Sequence, residues 1–195
     1  QCKAAAKALR KEIQALTRVR HKNVVVLLGA CDNPPMLIMV YADKGTLRQL
    51  LDNPRVSLSL DERLQLITGV SSGMYALHEA NIVHQDLKPP NVLISRDNVP
   101  WITDFGLAHY MAASLSAGST KIGGGTMQYK APESFRPKRF GGPKYHKPTD
   151  VYSFALLAWE TFSGVVPFTG KRDTDIVDMH KEAYYGEDPI RPPLD

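Results

Sequence analysis

The 195-residue chain is 43% hydrophobic and carries 24 basic against 20 acidic side chains, for a net charge of +4 and a pI near 9.0. That length and apolar content suit a folded chain with a sizeable core and exclude an intrinsically disordered one. No apolar run is long enough to cross a membrane, the opening Gln1-Cys2-Lys3-Ala4 lacks the order of a signal peptide, and Cys2 and Cys31 have no metal-ligand spacing. A membrane segment, secretion and a disulfide or zinc framework are therefore not expected, and the cytoplasm is the expected location.

From Ala4 to Val19, Leu9, Ile13, Leu16 and Val19 recur at helical spacing among Lys and Arg, which predicts an amphipathic helix. Val24 to Leu28 and Met36 to Val40 are apolar and rich in β-branched residues, and Asp32-Asn33-Pro34-Pro35 between them suits the turn of an antiparallel pair. Tyr41 to Gly45 reads as a connector and Thr46 to Leu51 as a short helix. Ser59-Leu60-Asp61-Glu62 has the spacing of a capping box, after which Leu64, Ile67, Val70, Met74 and Leu77 lay an apolar stripe along a long helix ending near His78. Val92 to Ile94 and Trp101 to Thr103 are expected as two short strands joined by a turn at Arg96-Asp97-Asn98. Thr149 is the expected N-cap of a largely buried helix from Asp150 to Phe162, which Gly164 stops. Much of the basic surplus sits in Arg136, Lys138, Arg139, Lys144 and Lys147, within a stretch containing Gly and Pro and no nucleic-acid motif. It reads as a solvated loop, and no nucleic-acid partner is expected.

The chemistry concentrates between the long helix and the second strand pair, in His84-Gln85-Asp86-Leu87-Lys88-Pro89-Pro90-Asn91 and then Asp104-Phe105-Gly106. Asp86 can accept a proton from a hydroxyl, and Lys88 can carry phosphate charge. Asn91 and Asp104 supply the hard oxygen ligands that Mg²⁺ prefers. A chance His-x-Asp-Leu-Lys-x-x-Asn in a chain of this size has odds of about one in ten thousand. Ala131-Pro132-Glu133, Asp150-Val151-Tyr152-Ser153-Phe154 and Trp159-Glu160 then follow in order.

This set resembles the eukaryotic protein kinases, in their order and over nearly the whole chain. The resemblance implies an α+β, two-lobed fold with a partial N-lobe over residues 1–40, comprising helix αC and two strands. A mostly helical C-lobe over residues 41–195, without its last helices, completes it. It implies ATP and Mg²⁺ as cofactors and a protein substrate bearing a Ser or Thr hydroxyl. Asp86 would be the base, Lys88 would meet the γ-phosphate, and Asn91 and Asp104 would hold the metal. Glu12 looks like the αC glutamate that holds the ATP-phosphate lysine. Met39 looks like the gatekeeper beside the adenine, the Val40 carbonyl and Ala42 amide like the hinge groups, and Leu93 like the floor beneath the base. Leu16, Leu27, His84 and Phe105 resemble the stacked spine, anchored by Asp150 through the catalytic-loop backbone, so that His84 is structural.

Lys88, with Thr126 in Gly125-Thr126-Met127-Gln128-Tyr129, resembles the serine/threonine class. Arg20-His21-Lys22-Asn23-Val24 and Leu28-Gly29-Ala30-Cys31 look most like its tyrosine-kinase-like group. Two departures qualify the expectation. Gln85 stands where the family usually has an Arg that pairs with an activation-loop phosphate, and a neutral amide cannot make that charge-assisted contact. The glycine-rich loop and the Val-Ala-x-Lys strand do not occur in this sequence, so a fragment of weak or no activity of its own is expected. Lys3 and Lys7 suit the polar face of the opening helix better than the missing lysine's role. A pseudokinase-like docking scaffold is the alternative reading, which loss of Asp86 or Asp104 would favour. Both are present.

Overall fold

A computed structural model describes residues 13, 17–32, 34–104, 127–135, 142 and 145–185. The chain is α+β and divides into two compact units, one formed by residues 1–84 and 89–119 and the other by residues 85–88 and 120–195. The helix expected from Ala4 to Val19 falls mostly outside the described residues. Ile13, Thr17 and Arg18 within it are helical, and the Thr17 hydroxyl donates to the Ile13 carbonyl at 2.8 Å.

In the first unit, β1 (Leu27–Asp32) and β2 (Pro35–Met39) form an antiparallel pair, with Asp32 opposite Pro35 and an irregularity between Leu27 and Gly29. The expected first strand, Val24 to Leu28, is displaced toward the C-terminus for a specific reason. Val24 and Val25 are spent on another partner: Val25 N–H donates to Ile102 O at 2.9 Å, and Ile102 N–H donates to Asn23 O at 2.9 Å. Both valines are buried there. A β-branched run therefore splits between two partners.

Ile102 belongs to β4 (Pro100–Ile102), which pairs antiparallel with β3 (Val92–Ile94) in the register Val92 to Ile102 and Ile94 to Pro100. Thr46 adds a bridge to Leu93 and also caps α1 (Leu47–Asp52), its hydroxyl accepting from Gln49 N–H at 3.2 Å. The Gln49 side chain accepts in return from Thr46 N–H at 2.9 Å. The long helix α2 (Leu60–Glu79) starts at the capping box read from the sequence, with Ser59 N–H donating to Glu62 Oε2 at 2.8 Å. Its buried side is Leu66, Val70, Gly73, Met74 and Leu77, at helical spacing, and it packs on β4. Gly73 permits this approach, because a Cβ there would stand 2.6 Å from the Asn23 carbonyl oxygen and 2.7 Å from Ile102 Cδ1.

In the second unit, two single 3₁₀ turns, Met127–Tyr129 and Pro132–Phe135, precede α3 (Lys147–Ser163) and α4 (Asp173–Tyr185). The core joins Tyr129, Leu156, Phe168 and Ile176. Thr149 is not the N-cap of α3. His146 holds that position, the helix begins three residues earlier than expected, and Pro148 sits in its first turn, where a missing N–H costs nothing. Thr149 lies one turn in, its hydroxyl accepting from His146 N–H at 3.2 Å. The helix is less uniformly buried than expected: Thr149, Asp150, Ser153 and Glu160 face inward while Val151 is 59% exposed. Gly164, at a φ of +75°, ends it as expected. Among the described residues no helix is long and apolar enough to cross a membrane.

Candidate active site

The motif residues divide between the two units, so each group is taken by itself. In the second unit, Gln85 adopts a φ of +68°, a left-handed conformation uncommon for a residue with a side chain. Its N–H donates to Asp150 Oδ1 at 2.8 Å, and Asp150, in the first turn of α3, is only 1% exposed. The buried carboxylate thus pins the loop backbone beside Asp86, in the anchoring role that the resemblance implied. Asp86 Oδ2 and Lys88 Nζ lie 2.7 Å apart, with 22% and 16% of their side chains exposed. This pair is sheltered but reachable, with a proton acceptor and a cation in direct contact. Lys130 belongs to the same neighbourhood: burial pulls its ammonium below the usual lysine range, the Asp86 charge opposes that shift, and the Lys88 charge adds to it.

Two further contacts stiffen this unit. The Tyr129 hydroxyl donates to the fully buried Glu160, and Ser153 Oγ donates to the Tyr129 carbonyl at 2.8 Å. Glu133, in the Ala131-Pro132-Glu133 segment, accepts from Thr149 Oγ1 at 2.9 Å and lies 3.8 Å from His146 Nδ1.

In the first unit, buried His84 donates from Nε2 to the Thr103 carbonyl at 3.0 Å. It is held as a structural residue. Thr103 N–H in turn donates to the Asn91 carbonyl at 3.1 Å, which ties the residue before Asp104 to Asn91 at the mouth of the β3–β4 pair. Asn91 is buried, and Asp104 is half-buried with a φ of +60°. Both side chains carry hard oxygen atoms, the ligand type that could hold Mg²⁺. Among the described residues, no cluster of three or more His, Cys, Asp or Glu forms a metal cage.

Met39 Sδ lies 3.9 Å from Thr103 Oγ1, at the end of β2. Val40 N–H donates to Val26 O at 3.2 Å, and the Ala42 carbonyl accepts from Gly45 N–H at 3.1 Å. Among the described residues, no backbone hydrogen bond engages the opposite groups, the Val40 carbonyl and the Ala42 amide. An acceptor and a donor two positions apart in a connector, with no backbone partner among the described residues, could meet the polar edge of a purine. Leu93 is half-buried in β3, opposite Trp101. Glu12, Leu16, Phe105, Thr126, Lys3 and Lys7 lie outside the described residues. Sequence reasoning missed Lys130. Its only signal was adjacency to Ala131-Pro132-Glu133, since its relation to Asp86 spans a long stretch of chain.

A family model described as protein tyrosine and serine/threonine kinase matches residues 1–193. The chain belongs to that family, and its α+β architecture is that of a protein kinase domain. The serine/threonine-protein kinase CTR1 of Arabidopsis thaliana is 38% identical over 156 residues, which cover 77% of this chain and 18% of that protein. A putative serine/threonine-protein kinase/receptor of Acanthamoeba polyphaga mimivirus is 35% identical over 163 residues, 82% of this chain and 10% of that protein. The serine/threonine/tyrosine-protein kinase HT1 of Arabidopsis thaliana is 32% identical over 164 residues, 83% of this chain and 40% of its own length. The matched stretches span from 10% to 40% of these relatives' own lengths, and two of the three are named for serine and threonine alone.

Proposed function

We propose that the protein containing this chain transfers the γ-phosphoryl group of ATP to a Ser or Thr hydroxyl of a protein substrate. The observation that carries this reading is the sheltered Asp86–Lys88 pair at 2.7 Å, on a loop whose backbone is pinned by buried Asp150. A proton acceptor in contact with a cation is what a hydroxyl nucleophile attacking a phosphoryl group requires. Asp86 takes the hydroxyl proton as the new oxygen–phosphorus bond forms and the bond to ADP breaks, while Lys88 draws in the negative charge spread over the transferred oxygens. Asn91 and Asp104 hold Mg²⁺, which when bound neutralises phosphate charge. The Val40 carbonyl and Ala42 amide hold the adenine edge, Met39 closes the space behind it and Leu93 lies beneath it. Glu12 orients an ATP-phosphate lysine. In this reading the N-lobe boundary falls between Val40 and Tyr41, and the cytoplasm, where ATP is at hand, is the compartment assumed.

Phosphoamino-acid analysis of a mixed peptide library incubated with the intact protein and labelled ATP tests the proposal. Label in phosphoserine and phosphothreonine is expected. Label confined to phosphotyrosine would overturn the choice of acceptor, and its absence from every peptide would overturn the proposal.

A further inference from the structure

The connector that follows β2 is fixed on both sides of Ala42. Before it, Val40 N–H donates to Val26 O at 3.2 Å; after it, Gly45, at a φ of +70°, donates to the Ala42 carbonyl at 3.1 Å. Lys44 N–H then donates to Ile94 O at 3.2 Å, and Gly45 O accepts from Ile94 N–H at 2.8 Å, which registers the connector on β3, the strand that carries Leu93. Two side-chain ties run to the turn between β3 and β4. Lys44 Nζ donates to Asn98 Oδ1 at 2.6 Å, and Arg96 donates to Asp43 Oδ1 at 3.0 Å. The turn is closed on itself: Ser95 N–H donates to Val99 O and Val99 N–H to Ser95 Oγ, both at 3.0 Å, while Asn98 holds a left-handed φ of +59°. The Asn98 amide also reaches Glu62 Oε1 at 3.5 Å, in the capping box of α2. Arg96 is 81% exposed, and a pair so solvated contributes little. The Lys44 contact is shorter and falls on a half-buried amide that is held from α2 as well.

We propose that Lys44 and Asn98 are positioning residues for the nucleotide, whose contact fixes the connector so that the Val40 carbonyl and Ala42 amide meet the adenine edge in register. The proposal rests on the reading of those two backbone groups as the adenine contacts, and extends it to side chains that act through the backbone. A donor and an acceptor read a base edge only while each keeps its place to about 0.5 Å. Asp43 and Lys44 are adjacent, carry opposite charges and are gripped by one turn, so swinging the Ala42 amide away from the base strains both ties. A contact that served stability alone would weaken the binding of every nucleotide alike.

Two arms test this and separate its failure from that of the kinase reading. In the first, which needs no turnover, binding of ADP and of inosine diphosphate to the intact protein is measured by calorimetry. Inosine reverses donor and acceptor on the base edge, so the ratio of the two affinities reads the placement of Val40 and Ala42. The wild-type protein should prefer ADP, and the preference should fall about three- to fivefold in Lys44→Met and in Asn98→Gly. Glycine keeps the left-handed backbone at residue 98, so that loss belongs to the amide and not to the turn. Asn98→Asp keeps the acceptor and should retain the preference. The double variant should lose no more than the larger single loss, because both substitutions remove one contact. A preference unchanged in both single variants, an equal loss for the two nucleotides, or fully additive losses would overturn the proposal alone. Equal wild-type binding of the two nucleotides would overturn the reading of Val40 and Ala42 and the proposal with it. In the second arm, the KM for ATP in phosphorylation of a Ser/Thr peptide should rise about three- to fivefold in Lys44→Met with kcat unchanged. A fall in kcat with KM unchanged contradicts a role toward the base. Selective binding in the first arm with no phosphate transfer to any peptide would sink the kinase reading and leave the positioning role standing.

Discussion

Gln85 N–H and Asp150 Oδ1 meet at 2.8 Å, and this bond joins a strained loop to the buried start of a helix. The left-handed backbone of Gln85 would be costly if left to itself. Asp150 offsets the strain by accepting the N–H that this conformation turns toward α3. Replacing Asp150 with Ala should destabilise the fold by about 2–3 kcal/mol, since it strands a donor and opens a buried gap. Asp150→Asn keeps an acceptor in place and should cost roughly half as much. Denaturant unfolding of the two variants checks the order, and equal losses would contradict the assigned hydrogen bond.

The backbone angle at residue 85 makes its own prediction. Gln85→Gly should be neutral or slightly stabilising because glycine adopts this angle without a steric cost, whereas Gln85→Val should lose about 1–2 kcal/mol. Phosphate control follows from the side chain. A neutral amide at residue 85 does not make a bidentate phosphate contact, so phosphatase treatment of the intact protein should leave most of its activity in place. Complete loss, unaffected by Gln85→Arg, would assign phosphate reading to another cation.

Helix α2 and the Asn23 turn are close because Gly73 has no side chain. Gly73→Ala places a Cβ within 2.6 Å of a backbone oxygen that also anchors Ile102, so neither neighbour can yield cheaply. A loss of about 2–3 kcal/mol is expected, despite the higher helix propensity of alanine. Thermal melts of the variant measure it, and a raised Tm would contradict the packing described.

His180 sets an acid limit on stability. It is fully buried in α4, stacked on Phe135 at 5.0 Å and edge-on to Tyr152 and Phe168, and burial pushes its pKa from 6.5 down to about 4 against the opposing pull of Glu133. The folded pKa lies below the unfolded one, so the unfolded chain takes up the proton first as pH falls. The stabilisation is complete above about pH 6.5 and is lost progressively between about 6.5 and 4, amounting to about 3 kcal/mol at the lower end. His180→Phe should flatten this part of the stability profile. An unchanged slope would mean that His180 does not carry it.

Much of the local structure was legible in the sequence. Ser59 and Glu62 announced α2 because capping chemistry is local, and Gly164 marked the end of α3 for the same reason. Errors arose where distant partners decided. Val24 and Val25 look like strand residues, but only the folded chain shows that they serve Ile102 and not β2. Thr149 is a good N-cap by type, but in the fold its hydroxyl lies one turn inside the helix and serves Glu133. Helix α4 was not anticipated, because Asp, His, Lys and Glu fill much of Asp173–Tyr185 and leave few apolar residues to mark its inward side. The site divides in the same way. Asp86, Lys88 and Asn91 share one short motif, while Lys130 feels the charges of Asp86 and Lys88 only through tertiary structure.

The central claim is that Asp86 accepts the proton from a substrate hydroxyl. Its most direct test is the rate of phosphate transfer from ATP to a Ser/Thr peptide by the intact protein and by its Asp86→Asn variant, with matched folding verified by circular dichroism. The substitution keeps the size and one acceptor oxygen but removes the charge and most of the basicity, so kcat should fall by about 10²–10⁴-fold with little change in the KM for ATP. Equal rates in the two proteins would contradict the assignment of Asp86 as the base.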